Sequence, residues 1–77
     1  MQQKKYVAYL KDITQDKQYR RLNPQTGTYL KRGEAVPEFV DRDIPNLQAY
    51  FTRVSAINQK LRFQIRDLQT GAVVWQT

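Results

Sequence analysis

Two pentapeptides of one design punctuate the chain: Asn23-Pro24-Gln25-Thr26-Gly27 and Asp67-Leu68-Gln69-Thr70-Gly71. In the first, proline presets φ for the leading corner of a type I turn, and Gly27 supplies positive φ at the closing corner. The second repeats the Gln-Thr-Gly ending. Each is flanked by β-forming residues, which predicts two hairpins, one with arms over residues 17–23 and 28–32 and one with arms over 61–67 and 72–75. The arms do not match each other, so the likeness reflects shared corner chemistry rather than a duplicated unit.

The rest of the chain fits around these hairpins. Residues 5–12 read as a covered strand, with Tyr6, Ala8 and Leu10 on one face and Val7 and Tyr9 on the other. Between the hairpins, Ile44, Leu47, Tyr50, Phe51, Val54 and Ile57 recur at helical spacing. Asp43 is placed to cap that helix, Pro45 suits its first turn, and Asn58 is suited to end it in the left-handed conformation. Residues 33–40 contain Pro37, which cannot donate to a ladder. They read as an extended arm carrying Val36, Phe39 and Val40 across the core. The expected fold is therefore α+β. A mainly antiparallel sheet, built from an N-terminal strand, a hairpin and a C-terminal hairpin, carries a single α-helix (about 44–58) on one face. Residues 1–77 are expected to form one small basic domain.

Nothing staples this fold covalently. A chain of 77 residues buries a modest share of its surface, and many such domains use disulfides or a metal. This one has no cysteine and no histidine, which removes disulfides and the usual zinc ligands. Stability must come from packing or from a partner. The apolar residues suffice for one core under one sheet, not for a deep pocket between two layers, so neither a small-molecule pocket nor a cofactor is expected. The amino terminus does not read as a secretory signal, because the apolar run after Lys5 is broken at Lys11 and Asp12, and no stretch approaches a membrane span. With no cysteine, a cytoplasmic location is the expectation.

Catalysis finds little support. The commonest general base is missing, the lone serine, Ser55, is expected mid-helix, and the three glycines all have turn roles. The acidic group Glu34, Glu38, Asp41 and Asp43 matches no calcium-loop spacing and is expected to serve helix capping and surface charge. The chain is not expected to be an enzyme.

Charge points elsewhere. Thirteen basic against seven acidic residues give a net +6, concentrated before residue 35 and after residue 47. A surface of this sign concentrates polyanions. Lys17, Tyr19, Arg20, Arg21, Tyr29, Lys31 and Arg32 interleave cations and aromatics around the first hairpin, a pattern suited to phosphate contacts and base stacking. If Asn23 pairs with Thr28, Arg20 faces Lys31 and Tyr19 faces Arg32, and opposed like charges favour an anionic partner. In the second hairpin, pairing Asp67 with Ala72 sets Arg66 against Val73 and Gln64 against Trp75. Val74 would then lie beneath the helix with Leu61, Phe63 and Ile65, while Arg62, Gln64, Arg66, Val73 and Trp75 would lie opposite. An outward tryptophan among arginines suits a stacking platform or an interface anchor; covered by the N-terminal strand or by the arm at 33–40, it would instead belong to the core.

Two functional expectations follow. The first is a small non-enzymatic nucleic-acid-binding module that contacts phosphates through the basic hairpin and sheet face. The second is a protein-interaction module, such as an accessory subunit or inhibitor. It would bind an acidic protein or self-associate through the Trp75 face or a sheet edge.

Overall fold

A computed structural model describes residues 3–77; the first two residues of the basic amino-terminal stretch lie outside the described residues. The chain forms β1 (Tyr6–Asp12), β2 (Arg20–Asn23), β3 (Thr28–Tyr29), a 3-10 turn (Asp41–Asp43), α1 (Ile44–Ile57), β4 (Leu61–Asp67) and β5 (Val73–Gln76). The strands build one sheet of order β3-β2-β1-β4-β5, antiparallel at every pairing, with the single helix on one face. This is the α+β architecture expected from the sequence. Among the described residues, no helix is long and apolar enough to cross a membrane.

β1 is central, as its two partly apolar faces require. It pairs along its whole length with β4, from Tyr6 opposite Asp67 to Asp12 opposite Leu61. Toward the helix it presents Tyr6, Ala8 and Leu10, which join Leu22, Phe51, Phe63 and Ile65 in the core. Phe51 is the centre of this cluster. Its ring stacks on Phe63 at 4.4 Å with an interplanar angle of 4°. It is fully buried, as are Leu22 and Ile65, and burying a side chain of this size contributes roughly 1.5–3 kcal/mol.

Both turns adopt the expected chemistry. Gly27 and Gly71 have φ of 72° and 76°, and each donates its N–H to the carbonyl of the opening residue, Asn23 at 2.9 Å and Asp67 at 2.8 Å. The opening side chain holds each loop from inside: Asn23 Oδ1 accepts from Gln25 N–H and Asp67 Oδ1 from Gln69 N–H. Asn23 pairs with Thr28, as expected.

Several local expectations are corrected. The first hairpin is short. β2 starts at Arg20, and the ladder ends once Leu30 N–H reaches the Arg21 carbonyl at 2.9 Å. Beyond it the chain turns at Lys31–Glu34, because the Glu34 carboxylate accepts the Lys31 N–H at 2.7 Å and Gly33 takes a φ of 88°. Arg20 therefore does not face Lys31, nor Tyr19 Arg32. Asp43 precedes α1 but adopts helical angles itself, and its carboxylate accepts the Val40 N–H rather than one from the helix. Asn58 ends the helix in an extended conformation, φ −122°, with its side chain accepting from Lys60 N–H in the turn to β4. Ile57, in the last helical position before that turn, is 82% exposed rather than part of the core stripe.

The largest correction concerns β5. A β-bulge between Ile65 and Arg66 makes Val74 the unpaired extra residue, so Arg66 still faces Val73 but Trp75 faces Ile65 and Gln76 faces Gln64. One inserted residue reverses the side of everything after it. Trp75 consequently lies on the helix side, its ring 6.3 Å from that of Phe51, while Val74 is exposed. The arm at residues 33–40 runs extended and joins the sheet at one point, where Tyr6 and Phe39 exchange two hydrogen bonds of 2.8 Å beside the end of β1.

Candidate nucleic-acid interface

A single helix covers a single face, so the register assigns the opposite face residue by residue. Side chains alternate along a strand, and cross-strand partners share a face. With Leu10, Leu22, Phe63 and Trp75 facing the helix, the open face carries Val7, Tyr9 and Lys11 of β1 and Arg21 and Asn23 of β2. β4 adds Arg62, Gln64 and Arg66, and β5 adds Val73 and Gln76. None of these ladder positions holds an aspartate or glutamate. Four are cationic.

Two of the four cations, Arg66 and Lys11, lie against aromatic rings. The Arg66 guanidinium carbon sits 4.1 Å from the centre of the Tyr9 ring. Tyr19, from the connection between β1 and β2, leans over the same face. Its ring centre is 5.8 Å from the Arg66 guanidinium and 5.6 Å from Lys11 Nζ. Contacts of this kind are worth roughly 0.5–1 kcal/mol at exposed sites and fix long side chains in place. Gln64 is buried at 7% exposure between two neighbours. Its Oε1 accepts from Arg66 Nε at 2.8 Å and its Nε2 donates to Gln76 Oε1 at 2.9 Å. Arg62 curls to the end of the face, where its guanidinium donates to the carbonyls of Gln59 and Leu61.

Of the residues singled out in the sequence, Tyr19, Arg21, Arg62 and Arg66 are gathered here. The others are placed elsewhere. Arg20 and Tyr29 lie on the helix side, with the guanidinium carbon 4.0 Å from the ring centre. Asp16 engages both: it lies 3.8 Å from Arg20, and its carboxylate accepts the Tyr29 hydroxyl. That hydroxyl, with the Asp12 N–H and the Arg20 charge, holds the Asp16 carboxyl below its ordinary value. Burial and the neighbouring carboxylate push Tyr29 up. Lys17 is exposed in the β1–β2 connection, and Lys31 and Arg32 are exposed in the turn beyond β3. Trp75 packs toward the core rather than outward.

Tyr9, Lys11 and Gln64 belong to the face but were not among the sequence candidates for contact. The signal was there: the second face of β1 reads Val7, Tyr9, Lys11, and Gln64 lies between Arg62 and Arg66 at a spacing of two. The acidic residues all serve structure. Asp41 accepts the Tyr6 hydroxyl at 2.6 Å, Asp43 and Glu34 accept backbone N–H groups, and Glu38 pairs with Lys5 at 3.3 Å. Ser55 donates to the Leu61 carbonyl at 3.3 Å.

Chemically, this face can grip phosphate oxygens and stack planar rings. A comparison with known proteins finds no family model that matches the chain and no significant match among curated proteins or solved structures.

Proposed function

We propose that this chain is a small nucleic-acid-binding module whose ligand lies across the open sheet face. The observation that carries the reading is the cationic bias of that face: Lys11, Arg21, Arg62 and Arg66 share it with Tyr9 and Tyr19, its ladder positions hold no carboxylate, and Glu34 reaches it from the turn beyond β3 at the Asn23 corner, 3.5 Å away. Cations beside stacking rings on an uncovered sheet suit single strands, where splayed bases stack and phosphates pair. A duplex is less suited, because β3 has only two residues and the β2–β3 ribbon is too short to lie along a major groove. Non-enzymatic binding is the whole of the proposed activity.

The test is fluorescence anisotropy with labelled single-stranded DNA, RNA and duplex DNA at about 50 and 200 mM salt, a span over which phosphate-driven binding weakens strongly. Tighter binding to a single strand, weakened by salt, is the expected result. Absence of binding at the lower salt concentration overturns the reading.

A second reading has one observation of its own. β5 is an edge strand whose Val73 and Val74 are 46% and 49% exposed, which suits strand addition by a protein partner or a second copy. Sedimentation at rising concentration tests the self-association form. A monomer throughout removes it. The Trp75 face does not support this reading, since Trp75 packs against Phe51.

A further inference from the structure

We infer that Arg66 is the phosphate-gripping residue of the open face and that Gln64 is its positioning residue; this rests on the nucleic-acid reading above. An exposed arginine ordinarily loses rotamer freedom when it binds, at a cost in affinity. Arg66 has already lost most of it. Its guanidinium carbon lies 4.1 Å from the centre of the Tyr9 ring, and its Nε–H is committed to Gln64 Oε1 at 2.8 Å. Gln64 is fixed in turn by Gln76 at 2.9 Å, so the orienting oxygen cannot swing away. What remains is the pair of terminal nitrogens. Among the described residues, no hydrogen bond or ion pair engages them. A guanidinium fixed through Nε, with both terminal nitrogens free, presents the fork that matches two oxygens of one phosphodiester.

The other cations of the face lack this framework. Arg62 spends its Nη1 on two backbone carbonyls, and Lys11 offers a point charge without a fork. Tyr19 stands between Lys11 and Arg66, within 6 Å of each. A phosphate held by Arg66 would therefore leave the adjoining base beside the Tyr19 ring, where stacking is available.

The experiment separates a fork from a charge. Arg66→Lys keeps the net charge and the aliphatic stem, while Gln64→Met keeps the volume of Gln64 but removes the orienting oxygen. Affinity for a labelled oligothymidylate is measured for both across a salt series, with Arg53→Lys on the outer face of the helix as the control. Arg66→Lys is expected to lose about tenfold in affinity, the size of one good bidentate contact. Gln64→Met is expected to lose about threefold with an unchanged salt slope, because no charge is removed. A second measurement needs no nucleic acid. The Arg66 Nε–H resonance is expected to be resolved in the wild-type chain, lost in Gln64→Met, and shifted by inorganic phosphate. Arg66→Lys binding as tightly as wild type overturns the inference and leaves the nucleic-acid reading standing. A wild-type chain that binds no oligonucleotide overturns that reading instead, and an Arg66 resonance unmoved by phosphate then overturns the inference as well.

Discussion

Neutralising Lys11 and Arg21 together, as Lys11→Gln and Arg21→Gln, decides between the sheet face and the basic turn beyond β3 as the anion-binding surface. The open face holds four cations, Lys11, Arg21, Arg62 and Arg66. If each neutralises one phosphate of a single strand, the slope of log affinity against log salt is about −2.8, and going from about 50 to 200 mM salt weakens binding roughly 50-fold. With two of the four removed, the slope falls to about −1.4 and the same salt step weakens binding only about sevenfold. The matched control removes the same charge elsewhere: Lys31→Gln with Arg32→Gln, both exposed in the turn beyond β3. That pair is expected to leave the slope within about 0.5 of wild type. Anisotropy titrations at four salt concentrations measure all three slopes. The reasoning is refuted if the control pair lowers the slope as much as the face pair does, because the anion then lies along the loop and not across the sheet.

Other outcomes follow from the packing and the titrating groups. Phe51→Ala empties the centre of the core between Phe63 and Trp75 and is expected to cost about 3–5 kcal/mol in urea denaturation; a loss under about 1 kcal/mol would show that the stack on Phe63 is not the packing centre. Gly71→Ala is expected to cost about 1–2 kcal/mol for its positive φ alone, and Gly27→Ala more, since a Cβ there meets the Tyr50 hydroxyl at 3.3 Å whereas the space at Gly71 is open. Equal losses at the two sites would remove the steric part of that argument. Asp12 is held below the ordinary carboxyl value of 3.8 by Thr14, Asp16 by the Tyr29 hydroxyl, and Asp67 by the N–H groups of Thr70 and Gln69. Depressed folded values mean stability that is present above the unfolded value and lost as pH falls through the folded ones, so the urea midpoint should drop below about pH 4. Tyr6 and Tyr29 are raised, the first by its bond to Asp41 and the second by burial, so stability should also decline as pH rises past their ordinary value of 10.0; a midpoint flat from pH 3 to 11 contradicts both limbs. An oligonucleotide at about a hundred times its Kd should stabilise the fold by about 2.7 kcal/mol, a melting shift on the order of 10 °C that matched salt alone does not reproduce.

The parts of the fold that were legible in the sequence are those governed by one local rule. Asn23 to Gly27 and Asp67 to Gly71 declare their turns through corner chemistry, and the stripe from Ile44 to Val54 declares the helix through its period. The parts that were not legible depend on competition between neighbours. Val74 and Trp75 are adjacent and both apolar, so hydrophobicity alone cannot say which one the core takes. The bulge opposite Ile65 and Arg66 settles it, and no turn residue or glycine marks that bulge. Lys31 likewise continues the β-pattern of Tyr29 by composition, yet Glu34 captures its N–H and ends the ladder. The candidate site followed the same division. Arg62 and Arg66 lie on the side of the sheet that the uninterrupted alternation of β4 implied. Tyr9 and Lys11 needed knowledge of which face of β1 the helix leaves bare.

That bare face also explains why its binding residues resist simple deletion. Val7 is buried on the side away from the helix, outside the main core cluster, and its partner across the ladder is Arg66. Among the described residues, no second layer of secondary structure lies there. The side chains of Arg66, Tyr9 and Tyr19 gather on that side instead, with Gln64 buried and bonded to Arg66 and Gln76. The same side chains thus complete the fold and present the charge. Truncating Arg66 to alanine would remove the stem beside Val7 along with the guanidinium, and a lost affinity would confound the two. Exchanging guanidinium for ammonium keeps an aliphatic stem beside Val7 and removes the fork together with the Nε–H bond to Gln64, so the unfolding midpoint is read alongside the affinity. An effect of Arg66→Lys on affinity with no effect on the unfolding midpoint therefore belongs to recognition, and an equal effect on both belongs to packing.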